Sequence, residues 1–182
     1  MVVSQIAGGQ GAAPGADQDA AAPRIQAFDS VRSLRDFLGQ PALRSCTVDI
    51  DQDLIGQFAR ITRDEQWIHV DPARAAAQSP YGGTIAHGFL LLSLLSDWQA
   101  SCMAFPGAEL MLNYGFDRVR FTAPVRSGAR VSAGFALREV GGKQPGEARC
   151  VWAVTVDVEG GSRPAVHADW QVLVRWAVHG PG

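Results

Sequence analysis

The segment that decides the fold is Gly82-Gly83-Thr84-Ile85-Ala86-His87-Gly88-Phe89-Leu90-Leu91-Leu92-Ser93-Leu94-Leu95. It leads from a glycine-rich turn into an apolar helix, which we predict to run from Ile85 to about Cys102. Because this helix is apolar on nearly every side, we expect it to be buried within the domain. The chain must then supply another element that wraps around the helix.

Residues downstream of this helix alternate between apolar and polar, which is typical of strands. The alternating segments are Asn113 to Val125, Ala129 to Val140, Cys150 to Val158 and Val166 to Trp176. Glycine-rich turns join the last three, and this pattern favours an antiparallel meander. We therefore predict an α+β domain in which an antiparallel β-sheet wraps around a long central helix.

Upstream of the central helix, the sequence predicts three shorter helices and one strand. The first helix spans Val31 to Leu38, and the strand follows at Ser45 to Ile50. Asp51 is a suitable N-cap for the second helix, which we expect to end near Arg63. Asp71-Pro72 begins the third helix, with aspartate as the cap and proline at the first helical position.

Length and composition indicate one ordinary globular domain. The chain has 182 residues, of which 47% are hydrophobic and 19% charged. This balance is sufficient to bury a core. Residues 1–23 are rich in Ala, Gly, Gln and Pro, and we predict that they form a disordered tail ahead of a domain at residues 24–178. A net charge of −2 provides no general attraction to nucleic acid or to an anionic membrane.

Cysteine usage and hydropathy favour a cytoplasmic location. The three cysteines are widely spaced and form no CxxC pair, which fits free thiols in a reducing compartment. No apolar run reaches the roughly 18 residues of a membrane span. No Lys or Arg precedes Arg24, so the positive segment of a secretion signal is missing. We expect a cytoplasmic protein with no nucleic-acid or membrane partner.

Asp64 and His69 lie five residues apart in the loop predicted after the second helix. A carboxylate and an imidazole that lie close together can transfer protons to and from one water molecule. The backbone amide of Gly88, at the start of the long helix, can stabilise a negatively charged oxygen. These groups favour the addition of water to, or its removal from, a substrate that a carbonyl group activates.

Simpler roles for the same side chains stay open from the sequence. Asp64 could be an ordinary loop residue, His69 a surface or strand histidine, and His87 either a pocket residue or a structural hydrogen-bond donor. Asp64, His69, Asp71 and His87 could together bind a metal ion. Because Asp71 is better used as the cap before Pro72, we expect no metal at this site.

The two polar segments resemble a known family. Phe58 to Pro72, followed by Gly82 to Gly88, is similar to the signature of MaoC-like dehydratases and (R)-specific enoyl-CoA hydratases, which have the hotdog fold. Gln-Trp-Ile-His-Val-Asp at residues 66–71 is closest to the NodN-like branch. The resemblance extends from about Leu43 to Val174.

The resemblance implies a function and a set of site residues. The family's reaction is the reversible hydration of a trans-2-enoyl thioester to an (R)-3-hydroxyacyl thioester. Asp64 and His69 match its catalytic pair, Gly88 its oxyanion donor, and Ser96 a serine that orients the carboxylate. Four further residues are expected to line or support the pocket: Gln66, Trp67, Gly83 and His87.

The resemblance also implies partners. The expected substrate is carried by CoA or by an acyl carrier protein, and the hotdog unit is expected to form a homodimer or a dimer of dimers with its tunnel near the interface. Arg118 and Arg120 are expected to be solvated or ion-paired, and binding of the CoA phosphates is their alternative role. No cofactor is expected, because the thioester itself acidifies the position next to its carbonyl.

The sequence departs from the hydratase pattern beside the catalytic pair. Arg63, Gln66 and Trp67 stand where the family usually has Gly, Asn and Pro, and Arg63 and Trp67 could narrow or reshape the pocket. Two alternatives therefore accompany the hydratase. One is a hotdog thioesterase in which Asp64 activates water against the carbonyl carbon. The other is a non-catalytic module that binds an acyl thioester or a protein partner.

Overall fold

The computed structural model describes residues 25–177, so the tail predicted at residues 1–23 lies outside the described range. Within it, no helix is both long and apolar enough to cross a membrane. The elements are, in chain order, β1 Gln26–Ala27, α1 Val31–Asp36, β2 Leu43–Arg44, β3 Val48–Ile50, α2 Gln52–Thr62, α3 Trp67–Val70, α4 Pro72–Gln78, α5 Gly88–Ser93, α6 Leu95–Cys102, β4 Met103–Ala104, β5 Ala108–Phe121, β6 Ala129–Gly141, β7 Glu147–Val158 and β8 Val166–Trp176.

Four long strands and two short ones form one antiparallel sheet. Its order is β2-β6-β7-β8-β5, and β3 also pairs with β6. The meander predicted from the last three alternating segments is therefore confirmed as β6, β7 and β8. The fourth long strand, β5, pairs with β8 and forms an edge of the sheet. The predicted α+β class is also confirmed, because the helices α5 and α6 pack into the core against this sheet.

Aromatic side chains fill the space between the sheet and α6. Trp98 on α6, Trp152 on β7 and Trp170 on β8 are each at most 1% exposed. Phe135 on β6 packs against Trp170, with their ring centroids 6.1 Å apart. Truncation of a buried aromatic side chain of this size costs about 3–5 kcal/mol, so these contacts contribute much of the folding free energy.

The prediction of one continuous central helix from Ile85 was wrong. The helical segment begins at Gly88, and Leu94 divides it into α5 and α6. The three preceding residues are extended because they bond to other segments: Ala86 N–H donates to the carbonyl oxygen of Val125 at 2.7 Å, and Ile85 forms an isolated bridge with Arg126. These bonds prevent helical hydrogen bonding there.

The expectation that this helix is buried on every side was also wrong, because part of its surface is exposed in the single chain. Leu90, Leu91 and Leu95 are buried, but Phe89 is 69% exposed and Leu92 is only half-buried. Residues three and four apart share one face of a helix, so only the face toward the sheet is covered. Phe89 therefore presents an apolar side chain at the surface, beside the predicted active site.

The caps predicted upstream are confirmed. Asp51 Oδ1 accepts from the amide of Leu54 at 2.7 Å and begins α2, while Asp71 Oδ1 accepts from the amide of Arg74 at 2.9 Å and begins α4. The first predicted helix is also present, as α1. The predicted strand at residues 45–50 is shorter, with only Val48–Ile50 in β3. The short helix α3 was not predicted.

Arg63 ends α2 in the left-handed conformation, with φ of 61°. We expect Arg63→Gly to raise the free energy of unfolding by about 1 kcal/mol, because glycine adopts positive φ without the steric cost of a Cβ atom. Urea unfolding followed by tryptophan fluorescence measures this change.

The matched control for this substitution is Arg60→Gly, inside α2, which should lower the free energy of unfolding by about 1 kcal/mol. A lower stability for Arg63→Gly would contradict the prediction and show that the arginine side chain makes a compensating contact.

Candidate active site

Asp64 lies in the loop after α2, as the sequence predicted. Its side chain is 56% exposed. The loop is held by its backbone, because the carbonyl oxygen of Asp64 accepts from Nε2 of His87 at 2.9 Å. Its amide donates to Oγ1 of Thr62 at 3.4 Å. The carboxylate lies 4.0 Å from Nε2 of His87, which is beyond hydrogen-bond distance and leaves its oxygens open to another donor.

His69 lies in α3 and points inward, with 7% exposure. Its Nδ1 donates to the carbonyl oxygen of Ile85 at 2.6 Å. Since a carbonyl oxygen only accepts, Nδ1 carries the hydrogen, and a neutral His69 has its lone pair on Nε2. The carbonyl of His69 accepts from Nε2 of Gln52 at 2.7 Å, which holds α3 against α2. The tautomer that suits a proton acceptor is therefore set by a backbone group.

His87 completes the cluster from the turn before α5. It is 3% exposed, and its ring stacks on that of His69 with centroids 3.8 Å apart and planes inclined by 24°. One carboxylate oxygen of Asp64 and one ring nitrogen each of His69 and His87 all lie within 4.8 Å of one another. The structure thus brings together three residues separated by up to 23 positions in the sequence.

The surroundings of His69 favour its neutral form. Burial lowers the pKa of His69, and the nearby His87 lowers it further, while the bond to Ile85 and the Asp64 carboxylate raise it, leaving a pKa below the ordinary value. In a buried place, two adjacent positive charges would raise the free energy of the folded state. His69 is therefore an imidazole with an available lone pair at neutral pH.

A cleft of about 600 Å³ lies beside this cluster. His69 and Gly88 both contribute to its wall, and its remaining lining is mainly apolar. Gly88 is the first residue of α5, where backbone amides have no partner within the helix. Arg163, on the loop between β7 and β8, is an exposed cation at the cleft.

Phe121, the last residue of β5, is a cleft residue that the sequence alone did not reveal. A Cβ atom at Gly88 would lie 2.7–2.9 Å from three atoms of its ring, so the ring rests directly on the glycine backbone. Phe121 also contacts the exposed Phe89 edge-on, with centroids 5.9 Å apart. No local pattern links these positions, because Phe121 and Gly88 lie on elements that are distant in the sequence.

Several expected pocket residues lie away from the cleft. Gln66 is exposed at the start of α3, where its carbonyl accepts from the amide of His69 at 2.9 Å. The ring of Trp67 is covered by the guanidinium of Arg74, 4.5 Å from its centroid. Neither side chain is among those lining the cleft. The expected reshaping of the pocket by Trp67 is therefore not seen.

Gly83 and Ser96 contact residues outside the cleft. Gly83 lies against Arg126, and a Cβ atom there would be 3.4 Å from Nη2. Arg126 in turn donates to the carbonyl of Gly82 at 2.8 Å, which secures the turn before α5. Ser96 is exposed on α6, and its Oγ accepts from Nδ2 of Asn113 at 3.3 Å. Within residues 25–177, Ser96 makes no hydrogen bond to Asp64. The resemblance had predicted that this serine orients the Asp64 carboxylate.

Arg118 and Arg120, which were expected to be solvated or ion-paired, lie on β5. Arg118 is paired with Asp169 of β8. Arg120 donates to the carbonyl of Val119 at 2.8 Å. Arg118 lines a different depression, of about 580 Å³, whose residues on β7 and β8 alternate with the core residues. That depression therefore lies on the outer face of the sheet, away from the histidine cluster.

Comparison with known proteins places this arrangement in a family. The sequence pattern described as the MaoC like domain matches residues 35–161. The chain belongs to the MaoC-like family. This MaoC-like chain is 43% identical over 148 residues to nodulation protein N of Rhizobium meliloti (strain 1021), across 81% of this chain and 92% of that protein. It is also 43% identical over 145 residues to 3-hydroxyacyl-thioester dehydratase Z of Mycobacterium tuberculosis (strain ATCC 25618 / H37Rv), across 80% of this chain and 95% of that protein.

Solved structures agree on the fold. The MaoC-like dehydratase from Rhodospirillum rubrum superposes with a TM-score of 0.66 at 19% identity, covering 80% of this chain and 98% of that chain. The hotdog fold expected from the resemblance is therefore confirmed for this MaoC-like protein.

The contact between Gly88 and Phe121 can be tested through stability. Gly88→Ala should lower the free energy of unfolding by about 1–3 kcal/mol, because the added methyl group overlaps the Phe121 ring. The double variant with Phe121→Ala should recover part of this loss, so the two effects should be non-additive. Urea unfolding of both single variants and of the double variant measures the coupling.

Gly56→Ala is the matched control, because its Cβ atom would meet only Arg60 Nη1 at an ordinary 3.5 Å, inside α2. This substitution should stabilise the protein by up to about 1 kcal/mol. Additive effects of Gly88→Ala and Phe121→Ala would show that the two residues do not interact.

Proposed function

We propose that this protein is a hydratase or dehydratase that reversibly adds water to a trans-2-enoyl thioester, giving an (R)-3-hydroxyacyl thioester. The observation that carries the proposal is the cluster of Asp64 and His69 beside a largely apolar cleft that Gly88 also borders. The cluster supplies proton transfer, the cleft accommodates an acyl chain, and the glycine amide supplies a donor for the thioester oxygen.

The reaction requires one water molecule between Asp64 and His69. The pair takes one proton from the water as its oxygen bonds to C3, and it returns one proton to C2. The protonation state of the pair is therefore unchanged at the end of the cycle. The lone pair on Nε2 of His69 and the open carboxylate oxygens of Asp64 suit these transfers, and either residue can be the first acceptor.

Negative charge develops on the thioester oxygen as water attacks C3. We propose that the backbone amide of Gly88 donates a hydrogen bond to this oxygen. Loss of one such donor costs about 3 kcal/mol of transition-state stabilisation in other enzymes. Substrate binding must displace the Phe121 ring or pass beside it, because this ring rests on Gly88.

The cleft supports an acyl substrate on a charged carrier. Phe89, Leu91 and Val125 provide apolar surface for the chain. Arg163 offers a positive charge to a phosphate of CoA or of an acyl carrier protein. The mycobacterial relative, a 3-hydroxyacyl-thioester dehydratase, supports a thioester substrate for this chain.

We propose that no metal ion or organic cofactor takes part. The conjugated thioester carbonyl already makes C3 electrophilic in hydration and acidifies the hydrogens at C2 in dehydration, so the reaction needs only proton transfer and a donor for the carbonyl oxygen. Asp71 does not belong to the histidine cluster, since its carboxylate caps α4. Rates that are equal with and without EDTA are expected.

Incubation with crotonyl-CoA and with longer trans-2-enoyl-CoA thioesters tests the proposal. Hydration removes the ultraviolet absorbance of the conjugated double bond without releasing free thiol. Thiol release would instead identify a thioesterase. Binding of the thioester with neither reaction would identify a non-catalytic module.

Asp64→Asn and His69→Gln should each reduce the rate of hydration by at least about 100-fold, because each removes one proton-transfer group. Circular dichroism should show that both variants remain folded, since the carboxylate of Asp64 is exposed and glutamine retains polar atoms at position 69. Arg32→Gln, at an exposed position on α1, is the control and should keep the normal rate. A near-normal rate in either site variant would remove that residue from the proposed mechanism.

We further propose that two chains associate through β5. This strand has 14 residues, and within the described residues it pairs with β8 alone. It exposes Met111, Leu112, Tyr114 and Phe116. Natural proteins rarely leave a long apolar edge strand uncovered, because its free backbone groups pair with other chains. A second copy aligned along β5 would extend the sheet and cover these side chains, as the simplest homodimer or within a dimer of dimers.

Sedimentation equilibrium should therefore give at least twice the mass of one chain. Leu112→Asp should shift the protein toward the monomer, because it places a charge in the proposed interface. Ile61→Asp is the control: this side chain is 82% exposed on α2, away from β5, so the mass should not change. A monomeric wild-type protein, or an unchanged mass for Leu112→Asp, would contradict the proposed interface.

A further inference from the structure

His87 is the member of the cluster that the proposed reaction does not use. It nevertheless contacts both residues that the reaction needs. Its Nε2 donates to the backbone carbonyl of Asp64 at 2.9 Å, and its ring stacks on His69 with a centroid separation of 3.8 Å. Phe58 packs against the ring from α2, 5.2 Å away. The ring is therefore held among Asp64, His69 and α2.

We propose that His87 is a positioning residue that holds the Asp64 loop in place and keeps the ring of His69 oriented. This inference rests on the proposed function and deepens it. It assigns the hydrogen bond and the stacking contact of one side chain to two separate effects, and these can be removed one at a time.

The first effect concerns the loop. Asp64 follows Arg63, which has a left-handed backbone, and its own amide makes only a long contact of 3.4 Å with Thr62. The bond from His87 ties this loop to the turn before α5, across 23 positions of sequence. Because the ring bonds to the backbone rather than to the carboxylate, the carboxylate is held near His69 while its oxygens stay free for water.

The second effect concerns His69. The bond to Ile85 fixes one ring nitrogen, and the stacked ring of His87 covers one face of the imidazole. The titratable or charged groups around His69 are Asp64 and His87 in the cluster and Tyr81 and Arg163 at the cleft. Burial lowers the pKa of His69, and the adjacent His87 lowers it further.

The bonding pattern of His87 supports a role beyond packing. Its Nε2 carries the hydrogen, because the partner at Asp64 is a carbonyl oxygen. Its Nδ1 is buried and has no hydrogen-bond partner among residues 25–177. A buried polar atom without a partner destabilises the folded state. A phenylalanine would fill the same place without that penalty, so packing alone does not account for a histidine.

Two variants separate the two contacts. His87→Phe retains a ring that can stack on His69 but removes the donor to Asp64. His87→Gln retains an N–H donor that can reach the Asp64 carbonyl but removes the ring. His167→Gln, at an exposed position on β8, is the control. The full chain is used, and thermal unfolding checks that each variant is folded.

The first measurement is the titration of His69 by NMR on histidine labelled with ¹⁵N, which needs no substrate. In both His87 variants the pKa of His69 should rise toward its ordinary value, because the neighbouring imidazole that opposes its protonation is gone. It should not change in His167→Gln. An unchanged titration of His69 in both His87 variants would overturn the positioning role.

The second measurement is the hydration rate as a function of pH. His87→Phe should lower kcat by about 10- to 100-fold with little change in KM, because a loosened Asp64 loop misplaces a proton-transfer group. His87→Gln should recover part of this loss. In both variants the acidic limb of kcat/KM should move to higher pH. Normal kcat and an unmoved limb in both would overturn the inference.

The two measurements also distinguish this inference from the proposed function. If wild-type protein hydrated no enoyl thioester while the NMR titration of His69 shifted as expected, the proposed reaction would fail and the effect of His87 on His69 would stand. If the wild type were active and neither His87 variant changed it, only the positioning role would fail.

Discussion

The extended backbone at Ile85 and Ala86 is the constraint on which the site depends. Ile85 donates its amide to Ile68 and accepts the side chain of His69 on its carbonyl, while Ala86 donates to Val125. These bonds join α3 to the strand-like segment before β6 and delay the start of α5 until Gly88. The same short segment therefore orients His69, places His87 against it and sets the Gly88 amide at the cleft.

Unequal burial gives the clustered groups different properties. Asp64 lies at the surface with an open carboxylate, whereas both histidines are almost fully buried. Burial lowers the pKa of His69, and each histidine has its ring hydrogen directed to a backbone carbonyl. A proton acceptor with a fixed tautomer next to an exposed carboxylate is an arrangement suited to handling one water molecule. The apolar cleft beside it provides the volume for a substrate.

The departures from the family pattern have structural explanations outside the cleft. Arg63 occupies the left-handed position at the end of α2, where glycine is the least strained residue. Trp67 packs with Arg74 on the outside of α3, and Gln66 supports α3 through its backbone. Cleft shape is instead set by Phe121 and Phe89, which lie on other elements. The substrate preference of this MaoC-like chain is therefore a question about the end of β5 and the start of α5.

Local sequence determined the helix caps at Asp51 and Asp71, the three-strand meander and the loop that carries Asp64, because side-chain caps, alternation and turns act over a few residues. The Asp64–His69 spacing and the motif at residues 82–88 also indicated where to look for the site. Only the tertiary structure decided that the helix begins at Gly88, that Phe121 rests on it, and that His87 stacks on His69. Each of these depends on hydrogen bonds or packing between segments distant in sequence. Such long-range contacts override local helical preference, as at Ile85 and Ala86, and no short pattern records them.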